Sequence, residues 1–354
     1  MKLKWFDRLQ PFLAVFLGLV LGLGVTTLAG ESPLRVAEVL LKSAFGSRYD
    51  FGMTLFFATP LVFTGLSVSV AFRAGLFNIG AEGQLALGAL AVAALGMKFP
   101  HWSPGLAIPA GIAVSLLAGA LWGAIPGWLR ARRGSHEVIN TIMLNFVAAG
   151  FTSWATLYPL RSLETQSPET APVGAGFLLG RLSAFGDAPV SSAIFLALLA
   201  AFAVWFLFEK TVLGYEIRAV GESEASARLA GVDPGRARII AMALAGLLAG
   251  AVGVAEVMGN SGKFKPGFSP DYGFIGIAVA LLARNHPIGI LGSALLFGAL
   301  HKGAGDLDLE TEHVTREVSF ILQALVILVV VAEGFWSHWR RRVEAKVKTG
   351  GSHA

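Results

Sequence analysis

Long apolar runs separated by short polar punctuation organise this chain. A helix needs about twenty apolar residues to cross the hydrocarbon core of a bilayer. That rule places spans at 11–29, 51–71, 82–98, 105–129 and 138–158, and again at 190–209, 238–258, 273–284, 287–302 and 317–336. The runs are continuous, whereas a lipid-facing barrel alternates in segments of about ten residues. The expected class is therefore an all-α polytopic membrane protein of about ten transmembrane helices, one transmembrane domain over 1–350. The N-terminus has the look of a signal peptide, but its apolar run is long enough to span and further spans follow, so it reads as a retained first helix. After it, LRVAEVLLKSAF sets apolar residues at helical intervals opposite Arg35, Glu38 and Lys42, as in a helix lying in the outer interface without crossing.

Sidedness follows from positive charge, since Lys and Arg favour cytoplasmic loops. With the N-terminus inside, the inner segments hold 18 of the 28 basic residues. RARR at 130–133 and WRRRVEAKVK at 339–348 are the anchors, and both termini are cytoplasmic. A cytoplasmic loop then covers about 210–238 and a Ser, Pro, Gly and Thr-rich external loop about 159–190, either a docking surface or an ordinary surface loop. The stretch FIGIAVALLARNHPIGILGSALLFGAL reads as two short spans or one re-entrant hairpin, punctuated by Asn285, His286 and Pro287. Two spans keep the C-terminal arginines inside.

Composition narrows the function. With 55% hydrophobic and 14% charged residues, the 354-residue chain has more apolar surface than a soluble domain hides. Its net charge of +5 is scattered through loops, which excludes a nucleic-acid footprint in favour of topology signals. Without cysteine there are no disulfides, thiolate metal sites or cysteine nucleophiles. GNSGKF at 259–264 has the wrong glycine spacing for a phosphate loop and a phenylalanine where Mg²⁺ needs a hydroxyl. HEVIN at 136–140 carries Asn140 where a zinc protease needs its second imidazole. No catalytic set, metal site or cofactor site emerges, and an enzyme is not expected.

Three polar segments carry the remaining information. FRAGLFNIGAEGQ at 72–84 joins two spans through Gly75, Gly80 and Gly83. Irregular backbone survives in lipid only when protein buries it or water meets it, so Asn78, Glu82 and Gln84 either face an internal passage or form a polar cytoplasmic turn with Glu82 starting the next helix. HEVINTIMLNF at 136–146 sets Glu137, Asn140, Thr141 and Asn145 on one helical face, a stripe that glues helices or lines a route. In TVLGYEIRAVGESEASARLAGVDPGRARI, Glu222 or Ser223 opens a short helix, Gly231 stops it, and Asp233 with Pro234 starts the next. Ala225 and Leu229 on one face, flanked by Arg218, Arg228 and Arg236, suit either a groove on another protein or a solvated loop. GLVLG, GALWG and GLLAG are small-residue packing motifs without a functional role. Glu256, Gln323 and Glu333 are further polar groups within spans; Glu256 near an outer helix end could meet water, and Glu333 near the cytoplasmic end could pair with the arginine cluster.

TPLVFTGLSVSVAFRAGLFNIGAEGQLALGAL, HEVINTIMLNFVA, GYEIRAVGESEASARLAGV and IAVALLARNHPIGILGSALLFGAL together resemble the membrane permease subunits of bacterial ABC importers. The branch is that for branched-chain amino acids and simple sugars, within it the nucleoside and simple-sugar group. The resemblance implies a vitamin B12-importer-like permease fold in the cell membrane, paired with a second homologous permease. Two ATPase subunits would hydrolyse ATP on the inner loops, and an extracytoplasmic solute-binding protein would deliver a small-molecule substrate. Arg218, Gly221, Glu222, Ala225, Arg228 and Gly231 then form the ATPase-coupling segment. Asn78, Glu82, Gln84, Glu137, Asn140, Thr141 and Asn145 are the candidate substrate-pathway residues, with Phe72, Phe77, Phe146 and Trp154 available to stack on a base or sugar. The alternative is an ion-gradient-driven secondary transporter, which also uses broken helices but works alone.

Overall fold

Local chemistry sets where the helices begin and stop. In the computed structural model, which describes residues 2–163, 166–311, 320–329 and 332, the helices are α1 (Lys2–Val25), α2 (Pro33–Phe45), α3 (Arg48–Arg73), α4 (Ala81–Lys98), α5 (Pro104–Arg133), α6 (Glu137–Leu157) and α7 (Ala193–Lys210). There follow α8 (Val212–Glu222), α9 (Glu224–Leu229), α10 (Pro234–Gly250), a π-helical segment (Val254–Ser261), α11 (Tyr272–Leu282), α12 (Pro287–Glu310) and α13 (Phe320–Val329). Ser47 caps α3 by accepting from the Asp50 amide, and Thr211 caps α8 from the Gly214 amide. Each cap satisfies one of the amides left free in a first helical turn. Among the described residues there are no strands, only isolated bridges at Arg161–Thr170 and Arg181–Ser191.

Six of these helices are long and apolar enough to cross a membrane: α3, α5, α6, α7, the continuous run Pro234–Ser261, and α12. Val15–Ala29 and Pro33–Phe45 are bent by 120° at the break between them and make a seventh if counted as one broken span. α11 has 11 residues, about 16 Å of helix, half of a hydrocarbon core of about 30 Å. It is shorter than the expected span at 273–284 that it replaces, while α12 extends to Glu310, past the expected 302. The expected span at 317–336 is described as helix over Phe320–Val329; Glu333 and the WRRRVEAKVK tail lie outside the described residues.

The chain divides into two compact units, cut inside α12. In the unit formed by Met1–Gly46 and the chain from Ala299, Val36 and Val39 of α2 pack on Leu307, while Glu38 and Lys42 pair at 2.6 Å on the exposed side. Gly18 and Gly22 of GLVLG lie against Val326 and Leu322 of α13.

The unit Ser47–Gly298 has α3 and the Pro234–Ser261 run at its centre, 78% and 72% buried over their most apolar windows, whereas α5, α6 and α7 reach only 22–28%. Leu121, Phe146 and Phe195 point outward from those three helices, as expected where the solvent is lipid. GALWG of α5 meets GLLAG of α10 backbone to backbone. A Cβ added at Gly123 would stand 2.5 Å from the Met242 carbonyl oxygen, and one at Gly250 2.5 Å from that of Ser115. The loop at 159–190 is built rather than loose: Phe177 and Thr170 are fully buried. Its amides at Thr170, Val173 and Leu179 donate to carbonyls of Phe264, Gly262 and Met258.

Candidate functional site

The opening between α3 and α4 is a hydrogen-bonded knot. α3 ends at Arg73, Gly75 turns the chain with a φ of +69°, and α4 begins at Ala81 with no side-chain cap of its own. Asn78 and Gln84, both essentially without solvent contact, exchange amides: Asn78 Nδ2 donates to Gln84 Oε1 at 2.9 Å, and Gln84 Nε2 to Asn78 Oδ1 at 3.0 Å. Asn78 also donates to Ser67 Oγ at 3.2 Å and accepts from the Gly80 amide at 3.1 Å. Asn145 of α6 completes the set, donating to the Ile79 carbonyl and accepting from the Gly83 amide, each at 2.9 Å. It thus does in trans what a capping residue does in cis. Thr141 packs one turn away against Gly80 and returns its hydroxyl to the Glu137 carbonyl at 2.8 Å.

The remaining stripe residues of α6 sit apart from the knot. Glu137, 8% exposed, lies 3.4 Å from Arg130 Nε at ion-pair distance without hydrogen-bond alignment, and Asn140 donates to Ser135. Glu82 turns in another direction, accepting from the Gly273 amide at 2.7 Å in the first turn of α11. Phe72 and Phe77 meet edge to face at 5.1 Å, while Phe146 and Trp154 point out from α6.

Arg73 ties the end of α3 to two other elements. Its guanidinium donates to the Asn285 carbonyl at 3.0 and 3.3 Å and lies 4.5 Å from the centre of the buried Phe208 ring of α7. Ser69 donates to the same carbonyl at 2.9 Å. Arg284 and Asn285 hold φ values of +51° and +58° between α11 and α12, a conformation non-glycine residues rarely adopt.

The coupling candidates lie against this same corner. Gly221, at the end of α8, abuts the Arg73 carbonyl, and a Cβ on Gly75 would stand 3.3 Å from the Gly221 Cα. Ser223 caps α9 from the Ser226 amide, Gly231 follows with a φ of +81°, and Asp233 caps α10 from the Gly235 and Arg236 amides. Glu224 joins the two helices, bonded to Arg228 at 2.8 Å and Arg238 at 2.7 Å, and these partners hold its carboxyl below the ordinary value of 4.5. Arg218 reaches Glu209 at 3.6 Å. Glu222, Ala225 and Arg228 are exposed, and Leu229 is 92% exposed.

The structure adds residues not singled out as site candidates from sequence. Glu256, which the sequence puts within reach of water, is 7% exposed within the π-helical segment, where Asn260 donates to it at 3.2 Å and Tyr272 at the start of α11 lies beside it. Ser269 lies beside Glu82 and accepts from the Tyr272 amide at 3.0 Å. The sequence signal for this meeting was the pair of intramembrane carboxylates; their convergence depends on a short helix that starts inside the bundle.

Polar knots at helix breaks lie here within a bundle whose outer faces are apolar, the build of a membrane-embedded protein. Residues 51–331 match the family of the branched-chain amino acid transport system permease component, and the chain belongs to that family. The guanosine ABC transporter permease protein NupP of Bacillus subtilis is 35% identical over 98% of both chains. The nucleoside ABC transporter permease protein NupB of Lactococcus lactis subsp. cremoris is 35% identical over 92% of this chain and 91% of its own. The glucose ABC transporter permease protein TsgB13 of Haloferax volcanii is 33% identical over 95% and 90%. The chain is thus a multi-pass permease of the cell membrane and not an enzyme, of a family that works with ATPase and permease partners.

Proposed function

We propose that this chain is the transmembrane subunit of an ATP-driven importer for nucleosides or related simple sugars, forming part of the translocation pathway. The observation that carries the coupling half of this reading is the backbone contact of Gly221 with Arg73 and Gly75, because it joins the α8–α9 segment to the broken helix pair. On this reading 1–350 is one permease domain of about ten spans in a vitamin B12-importer-like arrangement, with both termini and the 210–238 loop cytoplasmic. Two ATPase subunits grip α9 through Glu222, Ala225, Arg228 and the exposed Leu229. Arg218 and Gly231 hold the segment's two ends. ATP is hydrolysed by those partners, and no cofactor is bound here. A second, homologous permease completes the pathway, and an extracytoplasmic solute-binding protein loads it over the 159–190 loop. Asn78, Gln84, Thr141 and Asn145 brace the pathway wall at the break, Glu82 faces the solute, and Glu137 and Asn140 hold the cytoplasmic end of α6.

The test is reconstitution in proteoliposomes with the partner permease, ATPases and receptor. Labelled guanosine or glucose is expected to accumulate only with internal ATP and receptor, and to be indifferent to collapse of ion gradients. Uptake by the chain alone, driven by an ion gradient, would establish the secondary transporter instead.

A further inference from the structure

At the start of α11, Glu82 of α4 accepts from the Gly273 amide, and the neighbouring Tyr272 lies near both Glu82 and Glu256 of the π-helical segment. Tyr272 is 3% and Glu256 7% exposed. Neither carboxylate is in an ion pair among the described residues, and the groups that donate to them are neutral: the Gly273 amide to Glu82 and Asn260 to Glu256, with Ser269 beside the first and Tyr272 beside the second. One atom is left over. Glu256 Oε1 is buried and has no hydrogen-bond partner. A buried polar atom without a partner is costly, and π-helical segments recur where function needs a side chain re-aimed. Ser269 and Asn260 are partly exposed and Asp271 is exposed, so the chain leading into α11 comes to the surface beside the cluster.

The balance of groups selects the ligand. Acceptors exceed donors, which suits a solute bringing O–H donors, and the absence of a paired cation disfavours any solute carrying phosphate. The Asn78–Gln84–Asn145 knot, by contrast, has spent its hydrogen bonds on itself.

We infer that Glu256, with Tyr272, Asn260 and Glu82, forms a solute-contacting site that accepts the vicinal hydroxyls of a neutral ribose or pyranose and rejects phosphorylated forms. This rests on the importer reading above and names the groups that read its cargo. A carboxylate oxygen bonded to a hydroxyl discriminates by about tenfold or more against a solute that lacks it.

The experiment uses the full reconstituted complex and compares the unaltered chain with Glu256→Gln and Tyr272→Phe. Probes are guanosine, 2′,3′-dideoxyguanosine, glucose and guanosine monophosphate, each at saturating receptor. Glu256→Gln is expected to lower guanosine or glucose uptake about tenfold. It should leave dideoxyguanosine uptake where it was, so the preference for vicinal hydroxyls disappears, and receptor-stimulated ATP hydrolysis should persist. Tyr272→Phe should give a smaller loss of the same kind, and guanosine monophosphate should not be carried by the unaltered chain. Unchanged preference in Glu256→Gln would overturn the site while leaving the importer reading intact. Uptake that depends on Na⁺ and loses that dependence in the variant would make the carboxylates a cation site and also overturn it. Failure of the unaltered chain to show ATP-driven uptake of any probe would remove the importer reading and the inference with it.

Discussion

Arg73 does more than mark the end of an apolar run. Its planar fork spans the Asn285 carbonyl while its face rests on Phe208, and a lysine supplies neither the fork nor the stacking. Arg73→Lys is therefore expected to cut ATP-driven uptake about tenfold while the ATPases still co-purify, a split read from initial rates beside pull-down yield. Gln84 acts on stability. Gln84→Leu takes one of two partners from each end of the Asn78 amide in a dry site, leaving Ser67 and the Gly80 amide, at a cost of about 1–3 kcal/mol for the two bonds lost, and thermal unfolding in detergent should fall by a few degrees. Glu224 ties α9 to α10, and its arginine partners keep it ionised below the usual carboxylate range. A group with a depressed folded pKa contributes above its unfolded value and is lost only as pH falls through the lowered one. ATPase co-purification should thus hold steady from about pH 7.5 to 5.5, whereas Glu224→Gln weakens it across that window.

Helices meet here through glycine, which lets backbones close in where a methyl group would not fit. At the α5–α10 crossing, Gly123 and Gly250 face carbonyl oxygens, so Gly250→Leu should drive the pair apart and leave little folded protein in detergent. Those motifs were legible in sequence as packing devices because small residues one turn apart announce themselves. The caps at Ser223 and Asp233 and the stop at Gly231 were legible for the same reason: they are decided within four residues. Asn145 was legible only as part of a polar stripe, because its partners, Ile79 and Gly83, lie more than sixty residues away. The short α11 was read as a span of 273–284 since apolar length alone does not reveal that Glu82 satisfies its first turn from another helix. Glu256, within reach of water by its place near a helix end, is 7% exposed, because burial there depends on contacts that its own helix does not announce.

Transport requires that a push on one face of the molecule reach the pathway, and on the proposed coupling it runs from α9 to α8, from Gly221 to Arg73 and Gly75, and from Arg73 across to the turn before α12. The proposed topology gives that line a sidedness, with Leu229 toward the cytosol and the 159–190 loop outside. The chain contains no cysteine, so single cysteines report without background. Leu229→Cys should react with a membrane-impermeant maleimide only in inside-out vesicles, and bound ATPase should protect it, because a side chain 92% exposed in the permease becomes covered when a partner grips α9. Asp187→Cys, in the exposed part of the opposite loop, should react only in right-side-out vesicles, with protection by receptor. Labelling of Leu229→Cys from outside would reverse the topology, and no motor in the cytosol could then drive the break through Gly221.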